Sequence, residues 1–197
     1  MSRLIILTGK SSSGKSYAQD RLVTYYGFKP LVLCTTRPMR PNENQGIDYL
    51  FITEDAFKKR IEEDRFVYYA TFNAYAEDMG ELQTWYYGLS KYQLNCDTVV
   101  VTDIDNVKKI RDYYEGEGND VEVVMLNVDE ETREQRARNR QGDKFSMDEW
   151  IRRLMDETRC YSVDKINRLV DTVIDNTDPK AIDKYMGEVD KHGHIVH

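Results

Sequence analysis

The sequence predicts an α/β fold: a mostly parallel sheet with helices on both faces, interrupted by two insertions. Three observations predict it. Short apolar runs alternate with segments of helical period, the pattern that stacks strand, helix and strand into layers. The runs at residues 4–7, 98–102 and 121–128 are nearly continuous in apolar character, as strands buried on both faces are. The chain has 197 residues with 40% apolar and 32% charged side chains, enough for one domain with a substantial core.

The first strand, residues 4–7, runs into a Gly-rich turn, and a helix pattern follows over 15–26. A second apolar run at 31–34 reads as another buried strand. Residues 47–51 alternate like a strand, and 53–65 are charged and helical, with Thr53 as N-cap. The segment 66–90 carries no Lys or Arg, six Tyr or Trp residues, and the acids Glu77, Asp78 and Glu81. A strand at 98–102, a helix at 106–114 and a strand at 121–128 restore the alternation. Residues 130–140 form an Arg-rich helix. Ser146 and Glu149 form a capping box opening one long helix to about residue 169, with Ile151, Leu154, Met155, Ser162 and Ile166 near one face. A strand at 172–174 and a helix after Pro179 close the chain. The Tyr-rich and Arg-rich segments are the insertions, expected at the carboxyl ends of the strands, where such sheets bind ligands.

Composition excludes several classes. The 28 Lys and Arg against 35 Asp and Glu give a net charge of −7, which argues against nucleic acid as a partner. An anionic ligand must then be held by a local cluster of donors. Cys34, Cys96 and Cys160 lack metal-ligand spacing and are odd in number, so reduced thiols and a cytoplasmic setting are expected. The opening apolar run of four residues is too short for a signal core or a membrane span, so no membrane partner is expected.

Gly9, Lys10, Ser11, Ser12, Ser13, Gly14, Lys15 and Ser16 match G-x-x-x-x-G-K-[ST]. The two glycines let the backbone curl so that successive N–H groups point at phosphate oxygens, and the following helix aims its N-terminus at the same anion. Lys15 neutralises β- and γ-phosphate charge, and the Ser16 hydroxyl can ligate Mg²⁺. The motif lies directly between an apolar strand and a helix, as it must. It reads as the P-loop of a nucleoside triphosphate site in a P-loop NTPase-like sheet.

A P-loop does not identify the acceptor. Residues 35–51 carry Arg37 and Arg40, then Glu43, Gly46, Asp48 and Tyr49. Guanidinium forks bind phosphate bidentately, and a Tyr hydroxyl adds a donor. The pattern T-T-R-x-x-R-x-x-E-x-x-G-x-D-Y-x-F resembles that of the guanylate kinase family, and the chain resembles the family over nearly its whole length. The resemblance implies one domain over 1–197, with a core of 1–34, 91–128 and 154–197. It implies a monophosphate-binding insertion at 35–90 and a lid at 129–153. It also implies transfer of the ATP γ-phosphate to GMP or dGMP with Mg²⁺.

By that resemblance Arg37, Arg40, Tyr49 and Tyr87 hold the monophosphate and Glu43 orients the arginines. Asp103 holds Mg²⁺ through water together with Ser16, and Asp105 accepts from the guanine edge. Arg136, Arg140 and Arg153 join Lys15 and Arg37 in the catalytic set, and Asn176 lies near the adenine. The Arg133, Arg136, Arg138 and Arg140 cluster also reads as a solvated helix face paired with Glu130, Glu131 and Glu134.

The chain departs from the family where the base is read. Tyr68 stands where a carboxylate accepts from guanine, and Leu33 and Leu89 stand at two hydroxyl positions. The stretch 73–83 is longer than the family loop, and Glu77, Asp78 or Glu81 are candidates to supply the acid. Two other readings therefore stay open: a kinase of another phosphorylated acceptor, such as a different (deoxy)nucleotide or ribose 1,5-bisphosphate, and a catalytically silent binding domain.

Overall fold

The computed structural model describes residues 2–40, 43–76 and 81–191. The chain divides into two compact units, Met1–Pro30 with Cys96–His197, and Leu31–Asn95. The inserted unit thus has boundaries four or five residues wider than the expected 35–90.

The larger unit is built on a five-stranded sheet of β1 (Arg3–Thr8), β2 (Lys29–Pro30), β7 (Thr98–Val101), β8 (Asp120–Asn127) and β9 (Thr172–Asp175). Their order is β2-β7-β1-β8-β9 and every pairing is parallel. Strand order reverses at β1, so the crevice at the carboxyl ends of β1, β7 and β8 is the expected ligand site. Helices α1 (Lys15–Tyr26) and α7 (Ala181–Lys191) cover one face, where Ile5 and Leu7 pack with Ala18, Leu22, Ile182 and Met186. By strand alternation Leu4 and Ile6 point to the other face, and α3 (Ile104–Gly116), which packs on β1 and β8, buries Ile104, Val107, Ile110 and Tyr114. Helix α4 (Glu130–Gln141) starts at Asp129, whose carboxylate accepts from Thr132 N at 2.8 Å. A short 3₁₀ turn, Gly142–Lys144, joins it to α5 (Met147–Cys160). Among the described residues no helix is long and apolar enough to cross a membrane.

The smaller unit carries a mixed sheet ordered β4-β3-β6-β5, from β3 (Cys34–Thr35), β4 (Leu50–Phe51), β5 (Phe66–Ala76) and β6 (Glu81–Ser90). Helix α2 (Glu54–Glu62) lies on one face, where Phe57 stacks on Phe66 at 4.5 Å beside buried Cys34. Thr53 caps α2 as expected, accepting from Ala56 N. Tyr69 and Tyr86 also touch Phe57, so alternation puts Tyr68, Tyr87 and Leu89 on the opposite face, with Tyr68 and Leu89 directly paired.

Three element expectations are corrected. The run 31–34 is not one strand: residues 31–33 link two sheets, with Lys29–Pro30 just before them paired to β7 and Cys34–Thr35 just after them paired to β4 and β6. The strand expected at 47–51 shrinks to Leu50–Phe51, since Asn44–Gln45 folds back and the Gln45 amide bonds both backbone groups of Phe51. The long helix expected to reach 169 breaks into α5 and α6 (Val163–Leu169). Tyr161 leaves the helical region and Ser162 caps the new helix, accepting from Lys165 N.

Candidate functional site

Residues 9–14 leave β1 as a curled loop. Gly9 has φ +147° and packs so tightly that a Cβ would stand 2.5 Å from Leu126 O, and Gly14 has φ +94°, so both positions need glycine. Ser12 is left-handed at φ 60° without that freedom, a strained conformation of the kind concentrated at functional sites.

The loop's peptide groups are held from outside at alternate residues. The Tyr161 hydroxyl accepts from Gly9 N at 3.1 Å and donates to Gly9 O at 2.9 Å. Ser11 N donates to Glu157, and Arg133 Nη1 donates to Ser11 O at 3.2 Å. Asn176 Nδ2 donates to Ser13 O at 2.7 Å. Among the described residues the N–H groups of Ser12, Gly14, Lys15 and Ser16 have no partner, and the Ser12 and Ser13 hydroxyls are buried without one. Unpaired donors beside a helix N-terminus suit phosphate oxygens. Lys15 Nζ meanwhile donates to Gly9 O at 2.6 Å and Lys10 O at 3.0 Å. Burial pushes its pKa below the ordinary value. Asp103 and Glu157 oppose that shift, and Arg133 and Arg140 reinforce it.

The other expected residues of this unit fall as follows. Arg136 Nη2 donates to Asn176 O at 2.9 Å, which brings it to the P-loop's far side, near Gly14. Arg140 is exposed yet close enough to act on Lys15. Arg153 is paired with Glu149 at 2.8 Å. Asp105 is paired with Lys165, which with Cys160 holds its carboxyl below the usual range against the effect of burial. Asp103, two residues beyond β7, is the N-cap residue of α3 but does not use its carboxylate as a cap.

The smaller unit gathers the second group of expected residues, Arg37, Arg40, Glu43, Tyr49 and Tyr87. Arg37 is 5% exposed; it donates to Glu43 at 2.7 Å and Pro38 O at 2.7 Å and lies 5.6 Å from the Tyr49 ring centroid. Burial works against its charge, but Glu43 and Tyr87 hold its pKa above the ordinary value. Glu43 also accepts from Arg40 N at 2.8 Å, so one carboxylate sets both arginines. Tyr49 and Tyr87 meet edge to face at 5.9 Å. Among the described residues the Arg40 guanidinium makes no hydrogen bond or close ion pair, though its charge acts on Glu43 and Tyr49. Tyr68 and Leu89 are 5% and 0% exposed, so their face presents a phenol and an apolar side chain in place of a carboxylate. Of the three candidate acids, Glu77 and Asp78 lie outside the described residues, and only the backbone of Glu81 is described.

The chain as a whole matches one family of known proteins. The family model for guanylate kinase matches residues 1–181. The chain belongs to the guanylate kinase family. It is 30% identical over 162 residues to a guanylate kinase of Legionella pneumophila strain Paris, covering 80% of this chain and 73% of that protein. It is 32% identical over 145 residues to one from Rickettsia bellii, covering 71% and 70%. The crystal structure of guanylate kinase from Anaplasma phagocytophilum has the same fold, with a TM-score of 0.63 at 18% identity over 98% of this chain and 87% of that one. As a guanylate kinase family member this chain is an ATP-dependent phosphotransferase.

Glu157, Tyr161 and the role of Arg133 were not legible beforehand. Nothing local in a charged helix marks which carboxylate turns inward onto a loop more than a hundred residues away.

Proposed function

We propose that this chain transfers the γ-phosphoryl of ATP to the phosphate of GMP, using the residue roles set out here. The observation that carries the reading is the pairing of chemistries: inward N–H groups with Lys15 in one unit, and a buried guanidinium–carboxylate–phenol cup in the other. The P-loop N–H groups of Ser12, Gly14, Lys15 and Ser16, with the Lys15 ammonium, bind the triphosphate. Arg37, Arg40, Tyr49 and Tyr87 bind the acceptor phosphate, with Glu43 holding the arginines. An acceptor phosphate oxygen attacks Pγ as the bond from Pγ to the bridging oxygen breaks and ADP leaves. No side-chain nucleophile is needed; positioning two mutually repelling anions and neutralising their charge does the work.

Lys15, Arg136 and Arg140 supply positive charge, and Arg153 joins them once released from Glu149. Residues 129–153 act as a lid that excludes water, and Asn176 lies beside the adenine. The Ser16 hydroxyl and the uncapped Asp103 carboxylate near Lys15 are hard oxygen donors of the kind Mg²⁺ takes alongside phosphate and water. Bound there, Mg²⁺ would draw charge from the β- and γ-phosphoryl oxygens. Three free thiols fit a reducing, cytoplasmic setting.

One observation favours a second acceptor. Buried Tyr68 and Leu89 offer no carboxylate to guanine N1–H and the exocyclic amine, so another monophosphate or ribose 1,5-bisphosphate is the alternative. Measuring ADP release against GMP, dGMP, AMP, CMP, UMP, dTMP and ribose 1,5-bisphosphate decides it. GMP or dGMP should give the highest kcat/KM. A clear preference for another acceptor moves the function to that substrate. Arg37→Ala should raise the acceptor KM and lower kcat, with ATP affinity kept.

A further inference from the structure

We propose that Arg133 and Glu157 are a positioning pair that sets the P-loop through Ser11 and ties it to the helix bearing Arg136. Like the residue roles above, this rests on the phosphotransfer reading.

The pair is buried: side-chain exposure is 2% for Arg133 and 12% for Glu157, at 2.8 Å. Taking two charges out of water costs more than an apolar contact between two helices, so packing alone does not account for it. What an apolar pair cannot do is satisfy a backbone. Ser11 presents a donor and an acceptor, and the pair presents a carboxylate to the N–H and a guanidinium to the C=O. Polarity is matched at both atoms.

The rest of the geometry extends that grip. Tyr161 lies four residues after Glu157, at the C-cap of α5, and holds both backbone groups of Gly9. Arg136 lies three residues after Arg133 on α4 and is anchored to Asn176, which holds Ser13. With the peptides at 9, 11 and 13 fixed from outside, the N–H groups at 12, 14, 15 and 16 remain for the anion. The same two helices thus shape the cradle before nucleotide arrives and deliver Arg136 to its far side. Their carboxylate and guanidinium also act on Lys15 with opposite sign, so the pair adds little net charge to the site.

Swapping the charges separates this role from simple ion pairing. Arg133→Glu combined with Glu157→Arg keeps an ion pair between the helices but turns a carboxylate toward Ser11 O and a guanidinium toward its N–H. The expected result is a cooperatively melting protein whose kcat and ATP affinity, the latter measured by calorimetry, each fall at least about tenfold while acceptor KM moves less than about twofold. Glu157→Gln keeps an acceptor for Ser11 N–H, and Glu157→Leu removes it. Glu157→Leu should therefore lose clearly more kcat than Glu157→Gln, and these two decide the matter if the swapped protein does not fold. The proposal is overturned if the swapped or Leu variant stays within about twofold of the parent in kcat and ATP affinity, or if acceptor KM worsens as much as they do. Should the parent protein bind ATP but phosphorylate no acceptor, the phosphotransfer reading fails, and ATP affinity alone still tests the pair.

Discussion

At the scale of single residues, the site is governed by where charge is made expensive. Lys15 sits among backbone carbonyls with its pKa lowered chiefly by burial. The unfolded chain keeps that proton up to the ordinary value, whereas the folded chain releases it earlier. Lys15 therefore costs stability at neutral pH, and the cost is relieved as pH rises between the lowered value and the ordinary one. Triphosphate has the opposite preference, because it stabilises the ammonium. ATP affinity should thus weaken on the alkaline side at a pH below the ordinary lysine value of 10.5. A Lys15→Arg variant stays charged throughout and should bind ATP with a flat alkaline profile, whatever its turnover. Calorimetric titration from neutral to alkaline pH checks this. Superimposable profiles for the two proteins would show that Lys15 does not carry the titration.

At the scale of elements, caps and breaks decide which side chains reach the loop. Ser146 opens α5 by accepting from Glu149 N, and Glu149, held mainly by Arg152 and then Arg153 against the effect of burial, has its pKa lowered to about 2. Its contribution is present above its ordinary value near 4.5 and is lost as pH falls through about 2; at 41% exposure solvent screens much of it. Ser146→Ala should destabilise the protein by about 1 kcal/mol, read from chemical unfolding at neutral pH. A change near zero would mean the start of α5 is fixed by packing instead. Such caps were legible in the sequence because their partners lie three residues away, as were the P-loop and the Arg37–Glu43 cup, whose members are close in the chain. The break at Tyr161 was not, and the partner of that hydroxyl is Gly9, 152 residues distant. Arg133 was legible only as one of several arginines on a polar helix, since a buried ion pair and a solvated one share the same local pattern. The run 31–34 misled because the chain passes there from one sheet to another.

At the scale of the whole molecule, the two proposed anion sites belong to units of unequal strength. The unit Leu31–Asn95 spans 65 residues, taken as 95 − 31 + 1. Among the described residues, the cluster under its helix is Cys34, Phe57 and Phe66 with partly buried neighbours, and Tyr68 and Leu89 are buried on the other face, whereas the larger unit buries a cluster of thirteen residues on one sheet face alone. Domains near 60 residues bury a smaller share of their surface and are marginal by themselves. In unliganded protein, backbone amides of 31–95 should therefore exchange with solvent through openings of lower free energy than those of β1, β7 and β8. Each ligand should protect its own unit, because a ligand stabilises the state that binds it by RT ln(1 + [L]/Kd), about 2.7 kcal/mol at a hundredfold excess over Kd. Segment-resolved hydrogen exchange tests both halves of this. GMP alone should slow exchange in 31–95, ATP alone should slow it around 9–16, and Arg37→Ala should abolish the first effect while leaving the second. If GMP protected the P-loop segment and left 31–95 unchanged, the acceptor cup would have been assigned to the wrong unit.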